Sequence, residues 1–343
     1  LSNRHPVWQV AAGALSQNIS AMYKINRWGA AFLLLAGMAC WVCSPLGARA
    51  PEKMRANSGQ IGQFSREGEY VKDYFVIKKG RTFHLFYNVG VANDTQDWQE
   101  PDSEKAFGHA TSTDLVHWEH HPRVIRVVPG TWEGQVVSAP SIVKHKGTYY
   151  MVYTGFDDRW LGKQTVGLAT SKDLFDWKRC PENPVYTAPE WAMRNPTGWE
   201  DCRDSHILRY GGQFLMFSMV TTADGKGAIA LASSDDAIRW KDLGPALITF
   251  TTPESPRVFE HDGTYYMFAT SGHGKVLCKT KDPMSNRWEE VPFDWPPDGL
   301  WSGWEIVEDK GRLIFSAFKW EMNGNFIRFW EVEWDGETPV IRY

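Results

Sequence analysis

Five segments of this chain repeat one pattern, and the repetition narrows the possible folds before any single motif is weighed. They read DYFVIKKGRTFHLFY from Asp73, APSIVKHKGTYYMVY from Ala139, DSHILRYGGQFLMFS from Asp204, ESPRVFEHDGTYYMF from Glu254 and WEIVEDKGRLIFSAF from Trp304. Each is an apolar-alternating run, a polar turn containing glycine, and an aromatic-rich run, which is the signature of a β-hairpin. In four copies a second refrain follows: TSTDLVHW ending at Trp118, TSKDLFDW at Trp177, SSDDAIRW at Trp240 and TKDPMSNRW at Trp288. A hairpin, a further strand and a turn closed by tryptophan make about four strands per repeat, as in a propeller blade. The copies recur every 50 to 66 residues. The sequence therefore predicts an all-β, single-domain, five-bladed β-propeller over residues 70–343. The blades are expected at 70–130, 131–190, 191–248, 249–299 and 300–343, with residues 51–69 as an arm or a ring-closing strand.

Composition supports a globular chain with one class of partner excluded. Eighteen tryptophans and eighteen phenylalanines supply apolar surface for several sheet-on-sheet interfaces. The formal net charge of -4 is spread over both signs with no basic block, which argues against nucleic acid. Residues 1–21 read as an upstream or non-native segment, and Met22 as a start. Lys24 and Arg27 precede an apolar run from Ala30 to Cys43, and Ala48-Arg49-Ala50 offers small residues for a signal peptidase. Residues 22–50 are thus expected to be a signal peptide, giving a secreted or periplasmic protein with no membrane span in its mature form. A retained N-terminal anchor is the alternative. Cys180, Cys202 and Cys278 follow; a Cys180–Cys202 bridge and free thiols both remain open.

The openings of the repeats carry the chemistry. Aligned on Gly80, Gly147, Gly211 and Gly263, the repeats place Asp73, Pro140, Asp204 and Pro256 at one equivalent position. Glu254 lies two residues before Pro256, so a regular strand would turn it to the same side. Innermost blade strands line the central channel, so Asp73, Asp204 and Glu254 are expected to converge there. Three carboxylates in one pocket suit cleavage of a glycosidic bond. One protonates the leaving oxygen, another attacks the anomeric carbon or activates water, and a third tunes the charge. Strand-end acids more often cap turns, but three at matched repeat positions favour a site. Glu133, Glu200 and Asp201 are further acids near the blade beginnings. Trp118, Trp177, Trp240 and Trp288 are expected to anchor blade packing, whereas Trp132, Trp199, Trp301 and Trp304 fall outside the refrain and are candidates to stack on sugar faces.

These residues resemble a known group. FGHATSTDLVHWEHHPRVI from Phe107 is similar to the segment of glycoside hydrolase family 32 (invertases, inulinases and other β-fructosidases) that reads close to WGHAVSTDLVHWEHLP. TWEGQVVSAPSIVKHKGTYYMVYTG from Thr131 resembles that family's next segment. Cys202-Arg203-Asp204 is similar to its Arg-Asp-Pro motif, Glu254-Ser255-Pro256 to its Glu-Cys-Pro motif, and Asp73 falls where its Asn-Asp-Pro nucleophile stands. The departures are that Tyr70-Val71-Lys72-Asp73-Tyr74 replaces the usual first motif, and serine follows both Asp204 and Glu254.

The resemblance implies an enzyme, a glycosidase acting on oligo- or polysaccharides that contain furanosides or related pentoses. By position, Asp73 would be nucleophile or base, Asp204 the stabiliser, Glu254 the general acid, and Arg203 a donor to sugar hydroxyls. A family 43-like arabinosidase or xylosidase, a glycoside phosphorylase and a non-catalytic carbohydrate-binding propeller are the alternatives. No organic cofactor is implied and no metal site is read; a channel calcium, as in some relatives, is not legible in these residues.

Overall fold

The computed structural model describes residues 59–91, 102–159, 162–195, 199–250, 252–271, 274–296, 301–321 and 325–343. The segments expected as an upstream stretch and a signal peptide lie outside them. Every regular element among the described residues is a strand, and no helix there is long and apolar enough to cross a membrane. The five-bladed β-propeller expected from the repeats is the fold.

Strand β1 (Gln60–Phe64) comes first. Blade one holds β2 (Glu69–Lys79), β3 (Thr82–Val91), β4 (Phe107–Ser112) and β5 (Glu119–Val124). Blade two holds β6 (Val136–His145), β7 (Thr148–Phe156), β8 (Thr165–Ser171) and β9 (Trp177–Arg179). Blade three holds β10 (Cys202–Tyr210), β11 (Gln213–Thr221), β12 (Gly227–Ser234) and β13 (Lys241–Thr249). Blade four holds β14 (Glu254–His261), β15 (Thr264–Ser271), β16 (Gly274–Thr280) and β17 (Glu289–Glu290). Blade five holds β18 (Trp301–Asp309), β19 (Arg312–Lys319) and β20 (Phe326–Asp335), with β21 (Thr338–Ile341) on part of β20. All pairings are antiparallel and sequential except one: β1 lies on β20, so the outer strand of blade five comes from the start of the described chain.

A ring of five sheets has five interfaces, and the core of the described residues divides accordingly. Separate apolar clusters lie between blades five and one, one and two, two and three, three and four, and four and five. The tryptophan refrain locks these interfaces by a local device. In blade one, Ser112 Oγ accepts the Leu115 amide at 2.8 Å, and Asp114 Oδ1 accepts those of Val116 and His117 at 2.9 and 2.8 Å. Trp118 Nε1 then donates to Leu115 O at 3.2 Å. The same turn recurs in blades two and three, ending on Trp177 and Trp240. With its polar atom satisfied at home, each ring is free to pack on the preceding blade. Trp118 stacks on Phe329 with centroids 5.7 Å apart, and Trp177 meets Phe86 edge-on at 5.7 Å.

The thiols of Cys180, Cys202 and Cys278 are free. Cys180 and Cys202 both belong to the apolar packing between blades two and three but do not bridge.

Between blades one and two lies an unusual group of imidazoles. His84 Nδ1 and His109 Nε2 are 3.1 Å apart, His121 stands beside them, and Phe175 of blade two covers all three edge-on. Burial, with Lys79 and His121 nearby, holds His84 down to about 4; burial with the other two imidazoles holds His109 down to about 3. Depressed values mean that the unfolded chain takes up protons first, so stability falls with pH below about 6.5.

Two outcomes are expected. Phe64, 1% exposed at the closing interface, should cost about 3–5 kcal/mol when truncated to Ala, seen as a lower urea midpoint. The thermal midpoint should fall from pH 6.5 to pH 4, and the fall should be shallower when His84 and His109 are both replaced by Gln.

Candidate active site

Each innermost strand breaks its ladder once, and at equivalent places. The register shifts fall between Lys72 and Tyr74, Ser138 and Ser141, Arg203 and His206, Glu254 and Arg257, and Ser302 and Glu305. At each break one residue has a left-handed backbone: Asp73 (φ 40°), Ala139 (49°), Asp204 (54°), Ser255 (52°) and Gly303 (62°). Such bulges re-aim side chains, and non-glycine residues in this conformation cost on the order of 1–3 kcal/mol each. Only glycine fits in blade five, where a Cβ would also lie 2.6 Å from the Phe318 ring.

The register corrects the alignment made on turn glycines. Each bulge residue stands seven positions before the first turn residue, which is Gly80, Lys146, Gly211, Asp262 or Lys310. Glycine occupies the first turn position in blades one and three but only the second in the others. The counterparts of Asp73 and Asp204 are therefore Ala139 and Ser255, not Pro140 and Pro256. Glu254 stands immediately before its bulge, where the other blades place Lys72, Ser138, Arg203 and Ser302. All five residues before the bulges, together with Asp73, Asp204 and Ser255 at them, line one cavity of about 590 Å³.

Asp73, Asp204, Glu254 and Arg203 all line that cavity. Asn88 Nδ2 donates to Asp73 Oδ2 at 3.2 Å, and Lys72 Nζ lies 3.5 Å from the same oxygen. Lys72 also pairs with Glu104 at 2.7 Å. Asp204 Oδ2 accepts the Ser255 amide at 3.1 Å and its hydroxyl at 3.4 Å. Arg203 donates to Glu254 Oε1 at 2.7 Å, to Gln164 at 3.2 Å and to Asp201. Glu254 is half exposed, whereas Asp204 is buried.

Burial pushes Asp204 up to about 6, opposed by Arg203 and reinforced by the charges of Asp73 and Glu254. Burial also raises Asp73, opposed by Lys72 and reinforced by Glu104 and Glu254. Asp201 goes the other way: burial is outweighed by Arg203, the Thr221 hydroxyl and the Trp199 indole. The cavity thus sets Asp204, which takes up a proton near pH 6, and the raised Asp73 beside Asp201, which is held down.

Trp199 and Trp301 line the cavity, but Trp132 and Trp304 do not. Trp132 is wedged in blade two, where Gly155 and Gly167 have no Cβ to collide with its ring. Trp304 is fully buried, stacked on Phe315 at 5.5 Å. Glu133 and Glu200 also serve elsewhere, the first beside Arg179 and Tyr153, the second between Lys163 and Arg194. Sequence reasoning missed Lys72, Glu104, Lys275 and Trp320, all on the cavity wall. Lys72 faces away in a regular strand, and Glu104 sits in an insert without periodicity. Trp320 carried one signal, an aromatic at a strand end outside the refrain. Among the described residues, no group of three or more His, Cys, Asp or Glu side chains is arranged to hold a metal ion.

Comparison with known proteins fits this geometry. The profile of the glycosyl hydrolases family 32 N-terminal domain matches residues 73–260. An insoluble-isoenzyme β-fructofuranosidase of Arabidopsis thaliana is 30% identical over 203 residues, covering 55% of this chain and 30% of that protein. A 1,2-β-oligomannan phosphorylase of Thermoanaerobacter is 39% identical over 203 residues, covering 58% and 57%. These matches span less than two thirds of either relative. Sucrose-6-phosphate hydrolase from Lactobacillus gasseri shares the fold, with a TM-score of 0.65 at 15% identity over 83% of this chain and 63% of that one.

A carboxyl raised by burial adds stability below its unfolded value, and that contribution is lost as pH rises through about 6. Asp204→Asn, which keeps an acceptor for Ser255, should therefore be more stable than the parent at pH 7.5, with the difference shrinking by pH 4. Urea midpoints across this range check it; a pH-independent difference would contradict the assignment.

Proposed function

The chain belongs to glycosyl hydrolase family 32, and from that premise we propose that it is a secreted or periplasmic glycosidase. Its substrates are oligo- or polysaccharides containing furanosides or related pentoses, in the manner of a β-fructosidase. The observation that carries this reading is the convergence of Asp73, Asp204 and Glu254 from three blades on one axial cavity. Asp73 acts as nucleophile or base, with Asn88 and Lys72 orienting its ionised oxygen. Glu254 is the general acid that protonates the leaving oxygen. It begins in the Arg203 pair, and sugar hydroxyls take over the guanidinium when substrate enters. Asp204, buried and within electrostatic reach of both, tunes their charge and hydrogen-bonds the sugar. Trp199, with the partly exposed Trp320, offers a face for sugar rings, while Trp301 on the same wall is only 4% exposed.

A second reading has specific support. Lys72, Arg203 and Lys275 are cations on the wall of the same cavity, and relatives are named as phosphorylases. In that case inorganic phosphate, not water, would receive the sugar.

The test is turnover of sucrose, inulin, arabinan, xylan and β-1,2-mannan oligosaccharides, each with and without inorganic phosphate. Phosphate-independent release of reducing sugar is expected for a furanoside or pentoside. Asp73→Asn and Glu254→Gln should each lower kcat by about 10²–10⁴-fold. A strict phosphate requirement with a sugar 1-phosphate product would replace hydrolysis by phosphorolysis. Binding without turnover would leave a carbohydrate-binding propeller.

A further inference from the structure

Directly below the cavity, each inner strand presents a further residue two positions past its bulge: Phe75, Ser141, His206, Arg257 and Glu305. All five are buried. Their contacts join the blades: Phe75 of blade one meets His206 of blade three, His206 Nδ1 reaches Ser141 Oγ of the neighbouring blade at 3.2 Å, and Arg257 Nε donates to Glu305 Oε1 of the next. Arg257 Nη1 also donates to Pro256 O at 2.9 Å. The side chains of Arg257 and Glu305 are each only 3% exposed. The bond chemistry proposed above uses neither.

A buried ion pair rarely adds net stability over an apolar pair of similar size, and in a low-dielectric interior its charges reach further than they do in water. We propose that Arg257 and Glu305 form a positioning pair. Glu305 fixes the guanidinium in the channel floor, and Arg257 there favours the ionised forms of Asp73 and Asp204 above it. This rests on reading those two as working carboxyls of the site.

The surroundings agree with that role. Arg257 pulls both Asp73 and Asp204 down against the effect of burial. Lys72 acts with it on Asp73 and Arg203 on Asp204, while Glu254 opposes it at both. The other titratable groups facing the pair bring no charge. Tyr74 of β2 gives its hydroxyl to Ser316 of β19 at 2.8 Å, and burial keeps both it and His206 of β10 neutral. Glu305 is itself pushed up to about 8 by burial, with Arg257 opposing.

The test needs no substrate, so it stands or falls apart from the proposed activity. In the full chain labelled with ¹³C at aspartate carboxyls, Asp73 and Asp204 are assigned by D73N and D204N and titrated by NMR. R257M should move both titrations up by roughly one unit, the size of a single-charge effect at an effective dielectric of about 20. Glu305, held at about 8 by burial, already carries its proton where these aspartates titrate, so E305Q, which keeps an acceptor for Arg257, should leave both in place. The charge-free double variant R257M/E305L guards against misfolding of either single variant, and should titrate above the parent. Unmoved titrations in R257M and the double variant, or an E305Q shift as large as that of R257M, would overturn the proposal.

Discussion

The site depends on one recurring interaction, the hand-over of a bulge amide from one blade to the next. A bulge leaves its N–H without a ladder partner, and a buried N–H cannot stay unpaired without cost. Here the preceding blade accepts it. Asn88 of blade one accepts the Ala139 amide at 3.0 Å, Thr154 of blade two accepts that of Asp204 at 3.1 Å, and Asp204 itself accepts that of Ser255 at 3.1 Å. The backbone distortion that aims the carboxyls is thereby held by the neighbouring sheet. Asp204 has both duties, since its own bulge aims it inward while its carboxyl supports the next one.

The same arrangement explains the electrostatic character of the cavity. In blades one, three and four two consecutive residues reach the cavity, so acids and cations alternate around a small space. Lys72 lies between Asp73 and Glu104, and Arg203 between Asp201 and Glu254. Burial raises Asp73 and Asp204, whereas Arg203 and neighbouring hydrogen bonds hold Asp201 down, which divides chemically similar side chains into different protonation states.

Much of the fold was legible because repetition is a property of the whole sequence. Hairpin turns, alternating strands and the tryptophan refrain each recur, so an ambiguous copy is corrected by the others. Asp73, Asp204 and Glu254 were legible as cavity residues for the same reason, and Arg203 through the resemblance of Cys202-Arg203-Asp204 to a family motif. The bulge was not, because its five occupants are Asp, Ala, Asp, Ser and Gly and share no chemistry. Their common property is backbone conformation, which the neighbouring blade imposes. Lys72 was hidden by that gap, and Glu254 was assigned two residues before its equivalent position instead of one. Trp132 and Trp304 show a different limit: an aromatic outside the refrain looks available until its across-strand neighbours are known. For Trp132 those neighbours are Gly155 and Gly167, distant in the sequence and adjacent in the sheet.

Strand β1 has a consequence in time as well as space. It pairs with β20, and Gln63 meets Arg328 across 265 residues of chain. A contact of that sequence separation forms late, because the intervening loop must be ordered first. During synthesis the blade-one edge therefore waits for blade five, and an axial pocket built from all five blades has no partial form. A chain still emerging from the ribosome carries its carboxyls on sheets not yet brought together. Chemical competence then arrives in a single event, when the ring shuts.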